Sequence, residues 1–181
     1  MIISKNLQQE YCFVGITKIM NPCPCGYLTD PRKACICNTT KIANYLSKIS
    51  GPLWDRIDIH IEIPVVKYKE LTDTRDAEPS VVIKARVEKA AAIQRGRFKE
   101  EGIFYNAQMN TKLIKKHCIL NDEAKELLKL AMTELGLSAR AYDKILKVSR
   151  TIADLAGSEQ IKTEHLSEAI QYRSLDRDFF V

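Results

Sequence analysis

The sequence has 181 residues, of which 45% are hydrophobic and 28% charged, with a formal net charge of +5. That is enough chain for one large or two small domains with a real core, and no apolar run approaches the roughly 20 residues of a membrane span. The N-terminal stretch is broken by Asn6, Gln8, Gln9 and Glu10 and does not read as a signal peptide.

A cytosolic setting is therefore expected, where thiols stay reduced and a tight cysteine cluster reads as a metal site in preference to disulfides. The mild basicity permits a nucleic-acid or phosphate partner without requiring one.

In chain order, residues 11–20 (YCFVGITKIM) are rich in β-branched and aromatic types and predict a buried strand that stops at Asn21-Pro22. A loop follows over 21–38, punctuated by Pro22, Pro24, Gly26 and Pro31. Thr39 or Thr40 is placed to cap a helix reaching about Ile49, with Ile42, Tyr45, Leu46 and Ile49 on one face. Ser50-Gly51-Pro52 ends it, and Asp55-Arg56 forms a turn. In IDIHIEIP, Ile57, Ile59, Ile61 and Ile63 alternate with Asp58, His60 and Glu62, the period of a strand. Residues 65–79 are polar and irregular, which places a domain boundary there.

Everything afterwards reads as helical. A long helix spans Ser80 to about Glu101, and a short one follows Asn110, near Thr111–Cys118. Asn121-Asp122 caps a helix that stops at Gly136, Ser138 caps one that stops at Gly157, and Thr163-Glu164 opens the last, to about Arg173. In the Ser138 helix, Ala139, Tyr142, Ile145, Leu146, Ile152 and Ala153 trace an apolar stripe, while Arg140, Lys144 and Lys147 share another face.

Four of the six cysteines cluster as Cys23-x-Cys25 and Cys35-x-Cys37 in the Pro/Gly loop. Four thiolates close a tetrahedral shell around Zn²⁺, and a loop without a core of its own needs such a clip; reduced or redox-active cysteines are the alternative. Cys12 and Cys118 stand in apolar surroundings and read as small buried hydrophobes. Asn21, at a strand end, is an Asx turn or an amide that orients a water or phosphate oxygen. Arg56 is an ion-pair partner of Asp55 and Asp58, or a guanidinium that reaches a phosphate across an interface. The Arg140 face meets a phosphate or simply faces water. No GxxxxGK[ST] occurs anywhere in the sequence.

Four runs, MNPCPCGYLTDPRKACIC, ISGPLWDRIDIHIEIP, LSARAYDKILKVSRTIADLAG and AIQYRSLDR, occur in an order that resembles the C-terminal half of the magnesium-chelatase-like AAA+ ATPases. The resemblance implies an α/β fragment over 1–64, with a partial AAA+ core sheet of about two strands and the cysteine loop. It further implies a linker over 65–79 and an all-helical lid over 80–181. It makes Asn21 sensor 1, Arg56 the arginine finger and Arg140 the nucleotide-binding sensor 2. Cys23, Cys25, Cys35 and Cys37 match a cysteine-rich insertion that holds a structural zinc.

Complete members resemble homo-hexameric rings that use ATP and Mg²⁺; the competence-type members drive branch migration of DNA, away from any membrane. The Walker segments would lie upstream of Asn21, where this sequence has only twenty residues. The expectation is thus a truncated or fragmentary chain without ATPase activity of its own. A non-enzymatic zinc-bearing DNA- or protein-interaction module and a metal-chelatase subunit are the competing readings.

Overall fold

Short polar side chains start most of the helices, because each can accept one of the backbone N–H groups that a first helical turn leaves unpaired. In the computed structural model, which describes residues 19–64, 66 and 77–173, Asn38 caps α1 (Thr39–Leu46) by accepting from the Lys41 amide at 2.8 Å. Asn110 caps α4 (Thr111–His117), Asn121 caps α5 (Asp122–Glu134) and Ser138 caps α6 (Ala139–Leu155) in the same way. The first cap therefore lies one residue earlier than the threonines expected to provide it.

The chain divides into two compact units between Lys48 and Ile49. In the first, residues 21–38 form turns and irregular loop ahead of α1, which carries no fully buried residue. α1 stops at Leu46, three residues short of the expected Ile49.

The second unit opens with α2 (Gly51–Trp54), a single turn built where only a helix stop was expected. Pro52 sits in its first turn, where a missing N–H costs nothing, and Ser50 enters extended with ψ 146°. α3 (Ser80–Arg97) ends four residues before the expected Glu101, and Phe98 leaves the helix direction to bury itself in the core. α7 (Thr163–Gln171) follows, with the His165 Nδ1 accepting from the Lys162 amide at 3.1 Å.

α6 is the central helix: it packs against α3, α4, the 3-10 turn Asn106–Gln108 and α7, while α5 packs on α7. Phe98, Ile114, Leu128, Ile145, Leu146, Ile161 and Leu166 are among the buried residues of one cluster. Cys118 belongs to it, as its apolar surroundings suggested. The glycine stops are as expected: Gly136 and Gly157 take φ of 59° and 67°, a region closed to most side chains.

Two expectations are corrected. The stripe on α6 includes Ala141, Ser149, Arg150 and Asp154 among its buried residues, whereas Ala139 and Tyr142 are exposed. More importantly, no strand occurs among the described residues, so the partial core sheet is not found there. Residues 57–63 alternate in sequence but run as irregular chain, with Ile59, Ile61 and Ile63 exposed. Alternation selects two faces; a ladder also needs a neighbouring strand to exchange hydrogen bonds, and no described residue supplies one. The other expected strand, over 11–20, falls outside the described residues except for Ile19 and Met20. So does Cys12.

Candidate functional site

The cysteine loop is shaped by two short turns. The Gly26 amide donates to the Cys23 carbonyl at 3.0 Å, folding Cys23-Pro24-Cys25-Gly26 back on itself, with Gly26 at φ +82°. Asp30 Oδ1 accepts from the Arg32 amide at 2.8 Å, which turns the chain again before the second cysteine pair. The result brings all four thiols together. Sγ separations are 3.3 Å for Cys23–Cys25, 3.6 Å for Cys23–Cys35 and 3.5 Å for Cys25–Cys35. With Cys37, all four ligand atoms lie within 4.8 Å of one another.

A tetrahedral Zn²⁺ with Zn–S bonds of about 2.3 Å sets neighbouring sulfurs about 3.8 Å apart, so the donor set and its dimensions fit that ion. The thiols are chemically unequal. Hydrogen bonding from the Tyr27 backbone outweighs burial at Cys25 and lowers it to about 6. At Cys35 the Cys37 amide favours the thiolate, but burial and the surrounding sulfurs push the group up to about 12. Burial raises Cys37 as well. Lys33 lies over the Tyr27 ring at 4.1 Å on the flank of the loop.

Asn21 stands at the root of this loop and is exposed. Its carboxamide lies beside Gly26, where an added Cβ would meet it at 3.7 Å.

The second unit holds Arg56 and Arg140. The turn that carries Arg56 starts from α2, with the Arg56 amide donating to the Leu53 carbonyl at 3.1 Å. Asp55 and Asp58 flank Arg56 in sequence, yet other cations take them. Asp55 accepts from Ser138 Oγ at 2.9 Å and pairs with Arg140 at 3.8 Å and Arg173 at 3.7 Å. Asp58 pairs with Lys144. Among the described residues nothing pairs with the Arg56 guanidinium, which is exposed. Neither flanking carboxylate is thus the partner of Arg56 among the described residues. Arg140, one residue into α6 and 67% exposed, is held among the described residues by its long contact to Asp55.

Arg97, Asn106, Arg150 and Asp154 were not singled out from the sequence, although together they hold the lid. Asp154 is fully buried and accepts from Arg97, from Arg150 at 3.1 Å and from Asn106 Nδ2 at 2.8 Å. Arg150 spends its remaining donors on the Glu159 and Ser158 carbonyls, and burial lowers its pKa. The only sequence signal was the i, i+4 spacing of Arg150 and Asp154 on a face that also carries Leu146 and Ala153.

Sequence comparison places these features. Residues 77–173 match the family model described as magnesium chelatase, subunit ChlI C-terminal, and residues 3–71 match that of magnesium chelatase, subunit ChlI. The chain belongs to the magnesium chelatase ChlI family. It is 42% identical over 159 residues to the competence protein ComM of Haemophilus influenzae, covering 87% of this chain and 30% of that protein. Identity is 37% to YifB, an uncharacterized protein of Escherichia coli, with the same coverage. It is 30% over 153 residues to Rv2897c of Mycobacterium tuberculosis, covering 84% of this chain and 30% of that protein. The chain thus spans about a third of the length of the relatives it matches. It is a ComM-type member of the family, and helices α3 to α7 lie in the segment that matches the family's C-terminal model. No helix among its described residues is long and apolar enough to cross a membrane.

Proposed function

We propose that the chain supplies the sensor and lid elements of a ComM-type ring ATPase that remodels DNA in the cytoplasm by ATP-driven branch migration. The observation that carries this is Arg56, an exposed guanidinium unpaired among the described residues although two carboxylates flank it in sequence. A planar, permanently charged group held this way suits a γ-phosphate on a neighbouring subunit of a homo-hexamer, where it stabilises charge as phosphoryl transfer proceeds. Arg140, at the first turn of α6, is the second cation for the phosphates and ties their presence to the position of the lid. Asn21 orients the attacking water. A zinc held by Cys23, Cys25, Cys35 and Cys37 serves structure alone, since four thiolates leave no open coordination position.

ATP and Mg²⁺ belong to the complete protein, of whose relatives this chain spans about 30%. Without a phosphate-cradling GxxxxGK[ST] segment, the chain alone has no means to hold the β- and γ-phosphates. The test is steady-state ATP hydrolysis by the isolated chain and by the assembly captured through a tag on it. Background hydrolysis alone is expected from the isolated chain. The assembly is expected to turn over ATP and to lose about 10³-fold in kcat with Arg56→Ala. Turnover by the isolated chain that vanishes with the same substitution sinks the first half; an assembly indifferent to it sinks the second.

The clustered thiols favour a second reading, a non-enzymatic zinc-bearing module that binds DNA or a protein. Salt-sensitive DNA binding by the chain that survives loss of both Arg56 and Arg140 favours that module. The family description also admits an ATPase subunit of a metal chelatase, for which no side chain of the described residues offers a specific argument.

A further inference from the structure

The segment 55–60 has no ladder to fix it, so its carbonyls look elsewhere for donors, and the lid supplies them. Lys144, one turn beyond Arg140 on α6, donates to the Arg56 carbonyl at 2.6 Å and pairs with Asp58. Arg173, just beyond the end of α7, donates to the Ile57 carbonyl and also contacts Asp55 at 3.7 Å. The His60 amide closes the set by donating to the Tyr172 carbonyl at 2.9 Å. Lys147, the next residue on the same face of α6, treats Ala107 alike, donating to its carbonyl at 3.0 Å.

The basic stripe of α6 is therefore in large part a row of clamps on irregular backbone. Lys144 is the member closest to Arg56. Its side chain is only 20% exposed, whereas the Asp58 it reaches is 66% exposed. A Lys ammonium offers three donors from one point, which lets it hold a main-chain carbonyl and a carboxylate together.

We propose that Lys144 is a positioning residue for Arg56, fixing the Arg56 backbone to helix α6 so that the arginine travels with the lid. This rests on the proposed role of Arg56 at a phosphate, and it adds that the arginine's placement is set by the same helix that presents Arg140. Lys144 acts by removing freedom from the turn, and a group misplaced by about 1 Å at a reaction centre costs about 10²-fold.

The test uses the ATPase assembly captured through a tag on this chain, with Lys144→Met, Lys144→Arg, Asp58→Asn and Arg56→Ala, alone and combined. Lys144→Met is expected to lower kcat between about 10-fold and 10²-fold with KM for ATP within twofold, Lys144→Arg to recover part of the loss, and Asp58→Asn to lose less. In the Arg56→Ala background Lys144→Met is expected to change kcat by less than twofold, because residues acting through one another are not additive. In the full chain, Lys144→Met is expected to speed amide exchange at Arg56 and His60 while Leu146 in the core stays protected.

A kcat that collapses with Arg56→Ala yet stays within twofold for both Lys144→Met and Asp58→Asn overturns this inference alone. So does an equal loss from Lys144→Met in both backgrounds, which marks a general structural effect. An assembly indifferent to Arg56→Ala overturns the proposed function and this inference with it.

Discussion

The two units of this chain solve the problem of holding a shape in opposite ways. The helical unit buries an apolar cluster around α6 and seals its polar seam with Arg97, Asn106, Arg150 and Asp154. The cysteine loop buries almost nothing: of its residues 21–38 only Cys23 is buried, and α1 beyond it contributes no buried side chain. One unit is fixed by many weak contacts spread over a core. The other concentrates its fixing at four sulfurs. Cooperative burial tolerates the loss of one contact at a moderate cost, whereas a clip at one point fails all at once.

Metal removal breaks the comparison most sharply. Structural zinc contributes on the order of 10–16 kcal/mol in small zinc-dependent folds. Chelation, or Cys35→Ser, is therefore expected to release residues 21–38 into fast amide exchange while α3 to α7 remain protected, with metal content read by elemental analysis. Less than about half an equivalent of zinc on the purified chain counts against the clip.

In the helical unit the largest single effect is expected at Asp154. Its truncation to Ala leaves the buried Arg150 and the partly buried Arg97 without their shared carboxylate, a loss of about 3–5 kcal/mol, seen as a lower thermal midpoint of the helical signal. Ile145→Ala, at a fully buried site facing the same core, is expected to cost about 2–5 kcal/mol. If Asp154→Ala costs less than about 1 kcal/mol, the network is not what closes the seam.

A finer distinction comes from protons. Cys35 and Cys37 hold their protons in the metal-free loop at neutral pH, since both are raised, while Cys25, lowered to about 6, has already lost its own. Zinc binding must expel the protons on Cys35 and Cys37, because thiolate is the ligand. The sign follows: apparent affinity rises with pH through the neutral range and falls steeply as pH drops below about 6, where Cys25 also takes up a proton. Calorimetric titration in buffers of different ionisation enthalpy measures the release. Proton release absent at pH 7 contradicts the assignment. The smallest effect belongs to a cap: Asn121→Ala is expected to cost about 1 kcal/mol in the helical unit and to leave metal binding unchanged.

Much of the helical unit is written locally. Asn110, Asn121 and Ser138 start helices, and Gly136 and Gly157 stop them, because capping and positive φ depend on one residue and its next few neighbours. That the four cysteines would cluster as candidate ligands was also legible from type and spacing alone. Other features depended on residues far apart in the chain. The alternation of 57–63 named two faces, but whether those faces belong to a strand depends on a partner for its backbone. The sequence assigned Asp55 and Asp58 to their neighbour Arg56. The fold gave them instead to Arg140 and Arg173, and to Lys144, residues more than eighty positions away. Adjacency in sequence fixes only what is possible for an ion pair. Which cation a carboxylate meets is decided by where the helices put their ends, and that decision leaves Arg56 exposed and without an ion-pair partner among the described residues.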